Sequence, residues 1–317
     1  MENNRPSIVE NSQNILEQVR KVIVGKDSVL IWTLASILAK GHILLEDIPG
    51  VGKTTMAVAF SRVFGLGYSR VQFNPDVLPT DITGYSVLNQ ATGQMEYRPG
   101  AVLCNLFLAD ELNRATSRTQ SALLEAMEER QVTVDGVRHG LPQPFTVMAT
   151  QNPIGAAGTQ MLPDSQIDRF MVCLSLGYPE PKDEITMLLQ RQGKDPMESV
   201  SPVVSAEELM QMQEMVEQTF ISDEIAAYIV ALADATRRSD LLLRGVSPRA
   251  TLALAALSKS LARLQGRDYV VPKDVQECFV TAFAHRVHAS AEAEGQGMDT
   301  CQALKTILTR IPAPQLR

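Results

Sequence analysis

Short apolar runs alternate with helix-spaced apolar positions through the first two thirds of this chain, the pattern of a parallel sheet covered on both faces. The runs predict strands at 42–48, 69–73, 105–110, 145–151 and 171–176, with helices near 52–63 and 117–128 between them. Ser117 followed by Gln120 suggests a capping box on the second helix, whose Leu123, Leu124 and Met127 would face inward. Two segments break the rhythm. Residues 85–98 alternate around Asn89 to Gly93, and residues 131–139 around Asp135-Gly136, a strong two-residue hairpin signal. Both read as β-hairpins inserted into an α/β core, either as loop decoration or as contact surfaces for a partner.

After Gly177-Tyr178-Pro179-Glu180-Pro181 helical periodicity takes over, and a boundary is expected there: a core at 1–179 and an all-helical domain at 180–317. Ser205 with Glu208 forms a capping box, Ser222 precedes two acids of a first turn, and Pro248 and Pro272 suit first helical positions. Residues 7–41 read as helix interrupted at Val24-Gly25, and the tail from Ile311 to Arg317 carries two prolines that predict fraying. The expected fold class is therefore α/β, a five-stranded parallel sheet with hairpin inserts and a C-terminal helical domain.

The 317 residues are enough for about two domains with a real core. No apolar stretch approaches the ~18 residues of a membrane span, and Met1 to Pro6 is polar, so a soluble chain is expected. Cys104, Cys173, Cys278 and Cys301 lie far apart, which fits reduced thiols and a cytoplasmic setting. A net charge of −7 disfavours a nucleic-acid motor. His285 and His288 lack an adjacent third ligand, so no structural metal is expected there.

The chemistry concentrates at the ends of the predicted strands. Asp47-Ile48-Pro49-Gly50-Val51-Gly52-Lys53-Thr54-Thr55 joins an apolar run to a helix and reads as a phosphate-binding loop. Its glycines would let backbone N–H groups and the helix N-terminus face a polyphosphate, Lys53 would reach the β- and γ-phosphates, and Thr54 would ligate Mg²⁺. Asp47 stands where the strict pattern has glycine; an acid facing phosphate would repel it, so its side chain must point elsewhere. Asp110 and Glu111 close the apolar run Asn105 to Ala109, one suited to hold Mg²⁺ and the other to polarise a water. Thr150-Gln151-Asn152 ends the next run, either capping the strand or orienting that water.

Two arginines stand apart. Arg249 falls in a first helical turn, where the dipole disfavours a cation by up to about 1 kcal/mol, so an anion beside it, the phosphates, is expected. Arg169, just before the last strand, could pair locally with Asp168 or enter a neighbouring subunit's site as a finger; the second is favoured.

Together these blocks resemble the MoxR family of AAA+ ATPases along nearly the whole chain. The resemblance rests on Pro49 to Thr54, on Val71 to Asp76 with Pro79-Thr80-Asp81, and on Ala109 to Ala115. It continues through Gln120 to Val132, Ala149 to Pro153, Asp168 to Phe170 and Gly245 to Ala250. It implies that Lys53 and Thr54 are Walker A, Asp110 and Glu111 Walker B, Asn152 sensor 1, Arg169 the arginine finger and Arg249 sensor 2. Val24 and Gly25 would line the adenine pocket, and the hairpins would be the helix-2 insert and the pre-sensor-1 hairpin. ATP and Mg²⁺ are the implied cofactors. Hexameric rings acting on a protein client, often beside a von Willebrand factor A domain protein, are the implied assemblies. A chelatase-type motor subunit and a nucleotide-dependent scaffold are the alternatives.

Overall fold

The computed structural model describes residues 7–152, 161–190, 192–193 and 195–315; Pro153, the last residue of one family block, and the final two residues of the predicted tail lie outside them. Helices α1 (Ile8–Arg20) and α2 (Asp27–Leu38) lead into β1 (Ile43–Glu46), α3 (Lys53–Val63) and β2 (Tyr68–Gln72). A short α4 (Pro79–Thr83) precedes the hairpin β3 (Gly84–Leu88) and β4 (Met95–Pro99), and then come β5 (Leu106–Asp110) and α5 (Ser117–Glu129). The second hairpin is β6 (Gln131–Val134) and β7 (Val137–Gly140), followed by β8 (Thr146–Gln151), α6 (Asp164–Ile167) and β9 (Val172–Leu174). From there the described chain is helical: α7 (Pro181–Gln190), α8 (Ala206–Glu217), α9 (Asp223–Arg237), α10 (Pro248–Leu264), α11 (Pro272–Phe283), α12 (Ala291–Gly295) and α13 (Thr300–Arg310).

The five core strands form one parallel sheet in the order β2-β5-β8-β1-β9. Alternation along each strand sends side chains to opposite faces. Ile43, Leu45, Leu106, Leu108 and Met148 join a core with α1, α2, α3 and the C-terminal helices, while Leu44, Phe107, Ala109, Val147 and Ala149 join Phe73, Leu123, Phe145 and Phe170 on the other side. Every core strand lies within one residue of its expected bounds at each end, except that β1 and β9 stop two residues short at their C-terminal ends. There the chain leaves the ladder to make loops.

Both hairpins form antiparallel pairs, and the Tyr97 and His139 rings stack at 3.7 Å to join them. The predicted capping box on α5 is corrected. Thr116, not Ser117, is the N-cap and accepts from the Thr119 amide, while Gln120 turns inward to the carbonyls of Leu112 and Ala115. Ser117 is then the first helical residue, and the loop sets the cap. The Ser205–Glu208 box, the Ser222 cap and the first-position prolines Pro248 and Pro272 are present. No helix among the described residues is long and apolar enough to cross a membrane.

Candidate nucleotide site

The strand order brings the C-terminal ends of β1, β5 and β8 side by side, the edge of an open parallel sheet where ligands bind. Gly50 and Gly52 adopt φ of +87° and +102°, open only to glycine at low cost, and nothing lies within 4 Å of a Cβ at Gly50. The loop can therefore curl so that α3 starts at Lys53 with its N-terminus toward the cleft. Asp47 indeed points away: its Oδ2 accepts the amides of Leu176 (2.5 Å) and Gly177 (2.9 Å) and the Ser175 hydroxyl. The acid at the missing glycine clamps the loop to the segment after β9.

Lys53 is buried and donates to the carbonyls of Asp47 (2.5 Å) and Ile48 (3.2 Å) and to Asn152 Oδ1 (3.1 Å). Burial lowers its pKa, opposed by Asp47, Asp110 and Glu111. Asn152 also donates from Nδ2 to Glu111 Oε1 at 3.2 Å, so one amide bridges the lysine and the acid. Glu111 sits at φ +56°, a left-handed conformation costing about 1 kcal/mol for a residue with a Cβ. Its N–H donates to Thr150 Oγ1 (2.8 Å), and that hydroxyl donates to Asp110 Oδ1 (2.7 Å). Thr150 thus ties the Asp110 carboxylate and the Glu111 backbone to β8.

The cleft has two lobes meeting at Pro49, Gly50, Gly52 and Thr55. A polar lobe of about 300 Å³ is lined also by Lys53, Thr54, Arg70, Asp110, Glu111 and Asn152. The more apolar lobe, about 500 Å³, includes Ile23, Val24, Val51, Leu176, Tyr178 and Leu188 in its walls. Polyphosphate and a planar base fit these two environments respectively. Val24 lines this lobe, and Gly25 is not among its lining residues. It lies beneath, at φ +71°, where a Cβ would meet the Asp183 carboxylate at 1.9 Å, so this glycine admits close packing of α7 rather than touching a base.

Arg169 and Arg249 line neither lobe. The expectation that Arg249 lies beside the phosphates is corrected for the single chain: it pairs with Glu128 at the end of α5, and more loosely with Asp168 at 3.8 Å. Its anion is thus a carboxylate. Arg169 also pairs with Glu128, at 2.7 Å, and donates to the Leu124 carbonyl; the suspected pair with Asp168 is not the one made. Asp168 instead accepts from the Ser247 hydroxyl and forms an ion pair with Arg286, whose burial holds its pKa down to about 10. His285 and His288 face the Phe170 carbonyl and Asp164.

Arg70 and the walls made by α7 carry no mark in the sequence. Arg70 Nη2 donates to Asp110 Oδ2 at 2.7 Å, but an arginine in a half-exposed edge strand gives no signal. Thr150 reads as part of the block ending its strand, and its hydroxyl bond to Asp110 is new.

The sheet order, the loop before α3 and the acids after β5 define an AAA ATPase. A family model described as "ATPase family associated with various cellular activities (AAA)" matches residues 42–172, and an AAA lid domain model matches 234–306. YeaC of Bacillus subtilis is 43% identical over 302 residues, covering 95% of this chain and 94% of that protein. Chaperone MoxR1 of Mycobacterium tuberculosis is 37% identical over 317 residues, covering 97% and 84%. A crystal structure of a candidate ATPase from Cytophaga hutchinsonii superposes with a TM-score of 0.88 at 34% identity, covering 97% and 96%. This chain belongs to the MoxR family of AAA ATPases.

Proposed function

We propose that this chain hydrolyses ATP at the interfaces of a homo-oligomeric ring, a hexamer by the family resemblance, and uses the cycle to remodel a protein client in the cytoplasm. The observation that carries this reading is the bridge Lys53–Asn152–Glu111. A phosphate-binding cation and a water-polarising acid share one amide beside the polar lobe, so a γ-phosphate arriving at Lys53 would change what Asn152 holds. In this reading the loop amides and Lys53 bind the phosphates, Glu111 takes the proton of the attacking water, and Asn152 orients it.

Thr54 and Asp110 are hard oxygen donors lining the same lobe, and Asp110 already accepts a cationic guanidinium, so the residues fit Mg²⁺. Bound there, the ion would neutralise charge on the β- and γ-phosphates. Arg169 and Arg249, away from their own chain's lobes, are assigned to a neighbour's site. The hairpins are the client-facing elements, since Leu88, Met95 and Val137 are exposed on them and the ring stack would make the two move together. A von Willebrand factor A domain protein is the partner class the family suggests.

The test is a comparison of wild type with Glu111→Gln under ATP and Mg²⁺. The variant should bind ATP, accumulate as the assembled form and lose turnover. Wild-type turnover in Glu111→Gln would overturn the assignment and leave the scaffold reading.

A further inference from the structure

Two charges in this molecule stand at the wrong ends of their helices, and they face each other. Arg249 is the second residue of α10, against the positive pole, and Glu128 is the penultimate residue of α5, against the negative one. Glu128 has no base three or four residues before it; Leu124 and Glu125 occupy those places, and Glu129 follows. Helix stability therefore explains neither residue. What Glu128 does instead is bridge: Oε2 takes Arg169 and Oε1 takes Arg249.

We propose that Glu128 is a positioning residue that holds Arg169 and Arg249 together as one doubly cationic unit, presented to the nucleotide of the adjoining subunit. This rests on the trans assignment made above. Two guanidinium groups on a single carboxylate would repel and separate without it. Among the described residues, Arg169 would keep the Leu124 carbonyl and Arg249, half-exposed, the distant Asp168. The cluster of Arg169, Arg249 and Arg286 against Glu128 and Asp168 retains one excess positive charge, available to a developing phosphate anion. Glu128 is also three residues before the first residue of β6, so a change in its pairing lies close to the second hairpin.

Glu128→Gln keeps the shape and removes the charge. Turnover should fall about tenfold with the KM for ATP unchanged within about twofold, because an interaction made only in the transition state is weakened. Glu128→Asp, too short to span both guanidinium groups, should fall between this variant and wild type. If Glu128→Gln turns over like wild type, or loses only KM, the proposal fails.

Mixing separates this role from damage to the variant's own site. Glu111→Gln subunits keep their arginines, and Glu128→Gln subunits keep their cleft, so mixed assemblies should exceed the summed activity of the two alone. An Arg169→Ala plus Glu111→Gln mixture is the control. Recovery in the control without recovery for Glu128→Gln overturns the positioning role alone; no recovery in either overturns the trans assignment and the role with it.

Discussion

The nucleotide cleft and the arginine cluster are both rich in charge, yet they are built in opposite ways. In the cleft the residues that matter sit at the ends of adjacent parallel strands, and they bond to one another: Lys53 to Asn152, Asn152 to Glu111, Glu111 and Asp110 to Thr150. In the cluster, side chains from α5, the turn before β9 and the start of α10 meet across the seam between sheet and C-terminal helices, and no phosphate-binding backbone lies among them. The first region binds by preformed local geometry. On the function proposed above, the second acts on a phosphate brought to it.

Substitutions should divide along that line. Arg169→Ala should leave ATP affinity within about threefold of wild type and reduce turnover by ~10³ or more, as expected for a group that meets charge only in the transition state. Nucleotide titration beside steady-state turnover measures both, and a matching loss of affinity would blur the division. Lys53→Ala should do the reverse first, weakening ATP binding about 100-fold through lost charge-assisted hydrogen bonds. Equal affinity in wild type and variant would remove Lys53 from the phosphate site.

Asp47→Gly, which restores the usual glycine, should bind ATP no better and cost about 2 kcal/mol in denaturant unfolding, because the buried Leu176 amide and the part-buried Gly177 amide lose their acceptor. A gain in affinity would show that the acid opposes phosphate after all. The most gradual effect concerns His42, which accepts the Val147 amide on Nδ1 and faces the Met127 carbonyl with Nε2, beside Glu128. Burial lowers its pKa from 6.5 to about 4, so the folded chain keeps it neutral while the unfolded chain protonates it. Its contribution is full above pH 6.5 and is lost as pH falls toward about 4, roughly 1 kcal/mol in the first pH unit. Unfolding curves of His42→Gln should show a shallower acid loss than wild type over that window.

The same contrast explains what could be read in advance. Strand ends, the glycine loop and the acidic pair are set by neighbours in sequence, so Lys53, Asp110, Glu111 and Asn152 were legible, as was the outward turn of Asp47. Arg249 was legible as a cation needing an anion, but its partner lies 121 residues away on another helix, a distance no local spacing encodes. Arg70 was hidden for the same reason: its contact with Asp110 exists only once β2 and β5 pair. Gly25 carries a packing constraint that the sequence does not show, since a Cβ there would meet the Asp183 carboxylate.

The central claim is that catalysis needs two copies of this chain, one supplying the cleft and the other the arginines. Turnover per chain at saturating ATP, followed down a dilution series alongside sedimentation, tests it most directly. Specific activity should collapse as the assembly dissociates. Constant turnover where only monomer sediments would contradict it.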